Sequence, residues 1–225
     1  WFLILRSDLG AGQGDIEAVK GLNIGAAPLV DLGLKHLLTE YGIDLEADKV
    51  NIEPVPGAFT GKNVNFGVTA ARALQDGKID GFWANGMGAE VAVKSGAGTL
   101  VIDARRGDGP SSAFNYTMPA LITSEKLINE NPDACAAAVR ALVKTQNALK
   151  DNYKLATEVG RKRFPAEEAE LIADIIQRDL PFYNAAITPE FISGMSSFSQ
   201  AMGLIDSEVT YENAVATEFS DLWNA

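Results

Sequence analysis

The sequence predicts an α/β protein with two lobes: one complete and built on a mostly parallel sheet, the other truncated and rich in helices. Strand-like and helix-like patterns alternate between Leu22 and Asp103, as they do where crossover helices connect parallel strands. Only helical patterns follow Ser124. The apolar stripes of those helices need a sheet to cover, and this half of the sequence offers few strands.

The complete lobe is expected to span residues 17–108. Its strand-like runs are LNIGA (22–26), VNIEPV (50–55), IDGFWA (79–84) and TLVID (99–103). Apolar residues at helical spacing follow the first two runs, and GMGAEVAVKSG (86–96) follows the third. Because each connection contains a helix, we expect parallel strands with helices on both faces of the sheet.

Residues 1–16 and 109–225 are assigned to the other lobe. Its two strand-like runs are WFLIL (1–5) and YTMPALITS (116–124), and proline at the first helical turn marks helix starts near 132, 165 and 189. Two strands make a meagre sheet, so we expect an N-terminal part of this lobe to lie outside the chain. A truncated sheet can pair its free edge with a second copy, which leaves a homodimer open.

Composition excludes several function classes. The net charge of −11 opposes binding to nucleic acid or anionic lipid, and no run is apolar enough to insert into a membrane. One cysteine and one histidine argue against a metal site or a histidine-based triad. The glycine-rich run at 10–14 lacks the residues that complete a phosphate-binding loop. No cofactor is therefore expected.

Four segments in this order are typical of one family: VKGLNIGAAP (19–28), LLTEYGIDLEADKVNIEPVP (37–56), ARALQDGKIDGFWANG (72–86) and YTMPALITSEKLINENPDACAAAVRAL (116–142). Together they resemble the type-2 periplasmic solute-binding proteins of ABC importers, nearest the branch that binds nitrate, sulfonates, taurine or thiamine precursors. The resemblance implies two α/β lobes that close on a small solute. It also implies a non-catalytic receptor, periplasmic or lipid-anchored at the cell surface, that delivers a polar, anionic or aromatic solute to a membrane permease.

Ligands of open parallel sheets bind beyond the carboxyl ends of the strands, where three loops are expected here. Trp83 offers an apolar face and one N–H donor, and Asn85 can donate and accept. The first loop lacks hydroxyl side chains and is followed by Asp31, which counts against a strongly anionic ligand. The candidate ligand-binding residues are Ala26, Ala27, Leu29, Phe59, Thr60, Asn65, Phe66, Trp83, Asn85, Tyr116 and Thr117.

Several alternatives stay open. Trp83 is equally placed to pack between sheet and helix, and Phe59 or Phe66 to fill the core. The same scaffold could be an enzyme, similar to thiamine-precursor synthases or desulfinases, or the effector-sensing domain of a transcription regulator. An enzyme of this kind needs a reactive cysteine or histidine in the cleft. We expect Cys135 to be buried in a helix and His36 to lie at the surface or the edge of another.

Overall fold

In the computed structural model, which describes residues 1–58, 65–113 and 120–224, the chain divides into two units. The first is Trp1–Phe114 and the second is Asn115–Ala225. The first unit therefore contains the whole of the predicted lobe at 17–108. It also contains residues 1–16, which the sequence analysis assigned to the other lobe.

The first unit is built on a five-stranded mixed sheet, so the predicted α/β class is confirmed. The strands are β1 (Phe2–Arg6), β2 (Asn23–Ala26), β3 (Asn51–Glu53), β4 (Gly81–Ala84) and β5 (Gly98–Asp103). Their order across the sheet is β3-β2-β4-β1-β5. Strands β3, β2 and β4 pair in parallel, as the intervening helices α1 (Asp31–Tyr41) and α2 (Phe66–Gln75) require.

Strand β1 lies inside this sheet, between β4 and β5, and runs antiparallel to both. Leu3 is opposite Trp83 on one side and Ile102 on the other. Residues 2–5 are all buried, which fits a strand covered on both faces. The local pattern of WFLIL is that of a strand, but it does not specify the partner, and β1 joins the first unit instead of the second.

Two hydrophobic clusters sandwich the sheet. One face carries Leu3 and Trp83 against Leu34 and Leu37 of α1. The other face carries Ile4 and Phe82 against α2 and helix α3 (Gly86–Lys94). Helices thus cover both faces, as predicted, and every crossover helix begins where a parallel strand ends.

The second unit is helical throughout its described part. Its helices are α4 (Glu125–Glu130), α5 (Pro132–Asp151), α6 (Leu155–Gly160), α7 (Ala166–Asp179), α8 (Pro189–Ala201) and α9 (Tyr211–Ala214), followed by a 3-10 helix over Thr217–Asn224. The three predicted helix starts are confirmed. Residues 120–124 form no strand, so the strand predicted over 116–124 is absent from the part of it that is described.

Large apolar side chains remain half-exposed in the second unit. Among them are Leu142, Val159, Phe164 and Leu204, each between 48 % and 61 % exposed. Within the described ranges, no helix is long and apolar enough to cross a membrane.

Candidate functional site

The carboxyl edge of the first unit's sheet brings the predicted loops together. Strands β2, β3, β4 and β5 all point to this edge, because β4 and β5 are each antiparallel to β1. Helices α1, α2 and α3 therefore begin here. The start of β1 lies at the same edge, where Phe2 is opposite both Ala84 and Asp103.

Two asparagines cap the helices that begin beside β4. The Val68 N–H donates to Asn65 Oδ1 at 3.3 Å at the start of α2, and the Gly88 N–H donates to Asn85 Oδ1 at 3.4 Å at the start of α3. Each cap satisfies one backbone donor of the first turn. Because each asparagine has a separate amide NH2 group, both caps also bring a side-chain donor to the edge.

The first turns of α2 and α3 touch through two glycines. A Cβ added to Gly88 would lie 2.5 Å from the Gly67 carbonyl oxygen, and one added to Gly67 would lie 2.5 Å from Asn85 Oδ1. Real Cβ atoms do not approach other atoms so closely, so only glycine fits at both positions. This contact sets the positive ends of two helix dipoles side by side at the carboxyl edge.

Helix α1 begins without a side-chain cap. Its N-cap residue, Val30, makes no side-chain hydrogen bond, and Lys35 Nζ pairs with Asp31 Oδ2 at 2.5 Å within the first turns. Leu29, just before the helix, has a φ of 71° and is 75 % exposed. A non-glycine residue with such a φ carries backbone strain, so the loop between β2 and α1 holds an exposed apolar side chain in an unfavourable conformation.

Trp83 and Ala26 face each other in the β2–β4 register and lie in the core. They are 3 % and 1 % exposed and belong to the cluster that packs against α1. Trp83 thus packs between the sheet and a helix, which is the alternative to ligand binding that its sequence left open. Its indole Nε1–H is buried and has no hydrogen-bond acceptor among the described residues, which is a costly state for a donor.

A cluster of ion pairs closes the edge beside β5. The Arg105 guanidinium donates to both carboxylate oxygens of Asp103, each at 2.9 Å, and lies 4.6 Å from the centroid of the Phe2 ring. Arg106 Nη2 donates to Asp108 Oδ2 at 2.7 Å, and the same oxygen accepts the Asp103 N–H at 3.0 Å. None of these residues is among the predicted ligand-binding residues, although the spacing Asp-Ala-Arg-Arg-Gly-Asp over 103–108 is a usable signal.

The two acids of this cluster have pKa values below the ordinary range. Burial raises the pKa of Asp103, but the hydrogen bonds and positive charge of Arg105 outweigh it. Burial also raises the pKa of Asp108, and the Asp103 N–H together with Arg106 outweighs it. Both carboxylates are therefore charged at neutral pH, and they hold the two arginines.

The carboxyl edge gathers every predicted site residue that the structure describes: Ala26, Ala27, Leu29, Asn65, Phe66, Trp83 and Asn85. Of these, Leu29 and Asn85 are exposed, while Ala27, Asn65 and Phe66 are half-buried. Phe59, Thr60, Tyr116 and Thr117 lie outside the described residues.

The reactive side chains lie elsewhere. Cys135 is buried in helix α5 of the second unit, as predicted. His36 is 7 % exposed in helix α1, so its predicted surface position is wrong: it lies in a helix whose inner face packs on the sheet. At the opposite edge of the sheet, an open hollow of about 380 Å³ is lined by residues that include Arg6, Asp8 and Gln75.

Comparison of the chain with known protein families and with curated proteins returned no match.

Proposed function

We propose that this chain is the solute-binding receptor of an ABC-type importer, acting in the periplasm or anchored at the cell surface. It captures a small polar, anionic or aromatic solute and delivers it to a membrane permease, without catalysis. The solute binds at the carboxyl edge of the first unit's sheet. The observation that carries this proposal is that three helices start at that edge, two of them in backbone contact through Gly67 and Gly88.

This arrangement suits binding of a small solute. Helix starts present backbone N–H groups and partial positive charge, and Asn65 and Asn85 add amide donors. Leu29 adds an exposed apolar surface in a strained loop, and strain of this kind is concentrated at ligand-binding positions. Polar donors beside an apolar contact are what orient a small ligand.

We further propose the two-lobe, type-2 architecture. Support comes from β1, the one strand that runs against the other four. Its first residues and the end of β5 lie side by side at the carboxyl edge, where Trp1 O accepts the Ala104 N–H at 3.4 Å. The start of β1 and the end of β5 therefore lie together at the proposed ligand-binding edge, which is where the hinge strands of a two-lobe receptor would begin and end.

Charge at the edge favours an uncharged or aromatic solute within this class. The described cations there are already paired: Lys35 with Asp31, Arg105 with Asp103 and Arg106 with Asp108. Hydrogen-bond donors therefore outnumber unpaired positive charges at this edge, and recognition would rest on amides and helix starts.

The test is a ligand screen followed by calorimetry. The 225-residue chain is screened by thermal shift against nitrate, sulfonates, thiamine precursors and aromatic acids, and each hit is titrated and then recovered for mass spectrometry. We expect at least one hit to bind and to be recovered unchanged. Asn85→Ala is expected to weaken its binding about tenfold, because one hydrogen bond to the solute is lost.

Asn131→Ala is the matched control, because Asn131 caps helix α5 in the second unit with the same bond, Ala134 N–H to Oδ1 at 3.2 Å. Each substitution removes a cap worth about 1 kcal/mol, so both should destabilise the chain equally. Only Asn85→Ala should weaken binding of the solute. Chemical conversion of the hit, or equal loss of affinity in both variants, contradicts the proposal.

A further inference from the structure

Helix α6 and the turn that follows it carry apolar and basic side chains on one side. Leu155 and Val159 are four residues apart, and Lys162 and Arg163 follow Val159 at three and four residues. Residues at these spacings lie on the same side of a helix. We call these four residues the 155–163 stripe.

A turn follows the end of α6 at Gly160, and its backbone hydrogen bonds keep helix-like spacing. The Arg161 N–H donates to Thr157 O at 2.9 Å, and the Phe164 N–H donates to Gly160 O at 2.8 Å. The inner side of this run carries Thr157 and Gly160, both buried. A Cβ added to Gly160 would lie 2.6 Å from Ile172 Cδ1 of helix α7, so α7 covers the inner side and the stripe faces away from it.

The apolar residues of the stripe are partly exposed. Val159 is 61 % exposed and Leu155 is 38 % exposed. Valine is a weak helix former because its branched side chain loses rotamer freedom, so helix propensity does not explain Val159. A single exposed apolar residue is ordinary, but here two lie together beside basic groups.

The basic residues of the stripe are free. Lys162 and Arg163 are exposed and have no acidic partner among the described residues, whereas the neighbouring Arg161 pairs with Glu170 at 2.9 Å. Glu158 flanks the stripe and is exposed too. In a chain with a net charge of −11, adjacent unpaired cations next to exposed apolar side chains are complementary to an acidic surface with an apolar anchor.

We propose that the 155–163 stripe docks an acidic protein segment, in which carboxylates meet Lys162 and Arg163 and an apolar side chain covers Val159. An anionic membrane fits less well. Charges interact over about 8 Å at physiological salt, and a flat anionic surface would also meet the acidic remainder of this protein. A short segment contacts a smaller part of this protein, so fewer acidic residues repel it.

The experiment measures binding of a labelled helical peptide that carries glutamates on one side and leucines between them, by fluorescence anisotropy on the full chain. We expect binding that weakens about tenfold in Lys162→Glu/Arg163→Glu, since attraction at two surface positions becomes repulsion. Val159→Ser should weaken it severalfold without changing the charge. A peptide with glutamine in place of glutamate should bind the unchanged chain no better than the acidic peptide binds the double variant.

The control variant is Arg140→Glu/Lys144→Glu, which reverses an exposed Arg/Lys pair four residues apart on helix α5. It should bind the peptide like the unchanged chain, and circular dichroism should show all variants folded. Equal loss in the control, or no binding of the acidic peptide, overturns the proposal. Binding to phosphatidylserine vesicles that depends on the stripe, without peptide binding, would assign it to a membrane and also overturn it. Solute binding is independent of these outcomes.

Discussion

At the scale of one residue, Leu29 is a position where the backbone conformation destabilises the fold. Its φ of 71° costs a β-carbon-bearing residue about 1 kcal/mol, and its side chain is 75 % exposed, so packing does not offset the cost. The proposed solute contact supplies a reason for leucine here.

Leu29→Asn is expected to stabilise the chain by up to about 1 kcal/mol, because asparagine tolerates the left-handed conformation. Urea unfolding measures this change. Lys49→Asn is the matched control, since Lys49 has a φ of 55° outside the carboxyl edge. Both variants should gain stability, and only Leu29→Asn should lose affinity for a solute found in the screen. Loss of affinity in both would contradict the role of Leu29.

Asp103 is the residue whose charge matters most for stability at the carboxyl edge. Asp103→Asn is expected to lower the free energy of unfolding at neutral pH by about 2–3 kcal/mol, because Arg105 keeps its burial but loses its counter-ion. Denaturant unfolding of the exposed-site variant Asp206→Asn should show almost no change.

The pH dependence of this effect has a definite sign. The pKa of Asp103 is lowered in the folded chain, so its contribution is complete above the unfolded value of roughly 4 and is lost as the pH falls through the folded value. The difference between the parent chain and Asp103→Asn should therefore shrink below about pH 4. A constant difference down to pH 3 would contradict the assigned pKa direction.

At the scale of elements, the contact between α2 and α3 determines the shape of the site. Gly88→Ala would place a methyl group 2.5 Å from the Gly67 carbonyl, so the helix starts must separate. We expect a loss of about 1–3 kcal/mol in denaturant unfolding, together with weaker solute binding. Gly12→Ala, where the added Cβ meets nothing within 4 Å, should be neutral or slightly stabilising.

Local pattern predicted the elements of the first unit well, because each strand and helix from β2 to β5 carries its own periodicity and caps. It could not predict where β1 pairs, since a run such as FLIL is suited to the centre of any buried sheet. The same limit applies to the site. Trp83 was predicted as a ligand-binding residue for its chemistry. Its burial depends on its neighbours across the strands, such as Ala26 on β2, which the local sequence does not indicate. The Gly67–Gly88 contact joins residues of two helices, and the hydrophobic periodicity of a sequence does not indicate which residues of two helices touch.

The two units of the molecule differ in how much apolar surface they bury. Both large buried clusters found among the described residues lie in the first unit, while the second leaves Leu142, Val159 and Phe164 about half-exposed. Apolar burial is the main source of stability, so we expect the two units to open with different free energies.

Native-state hydrogen exchange on the full chain, read by mass spectrometry, tests this difference. Amides of β1, β4 and β5 should be protected about a hundredfold more than those of α5 and α7, because local opening follows local burial. Raising the urea concentration should release the helices of the second unit first. Equal protection in both units, or loss of the sheet first, would contradict the expected order.

The interior position of β1 also governs how the chain acquires its structure during synthesis. Phe2–Leu5 are synthesised before their partners at 81–84 and 98–103, which follow only after most of the first unit has been translated. Until then a run of four apolar residues has two open edges, and such segments are prone to pair with the wrong chain. The sheet can consequently close only after residues 98–103 have been made. Its folding is slow because its key contacts are distant in sequence, and it depends on the early segment being shielded until then.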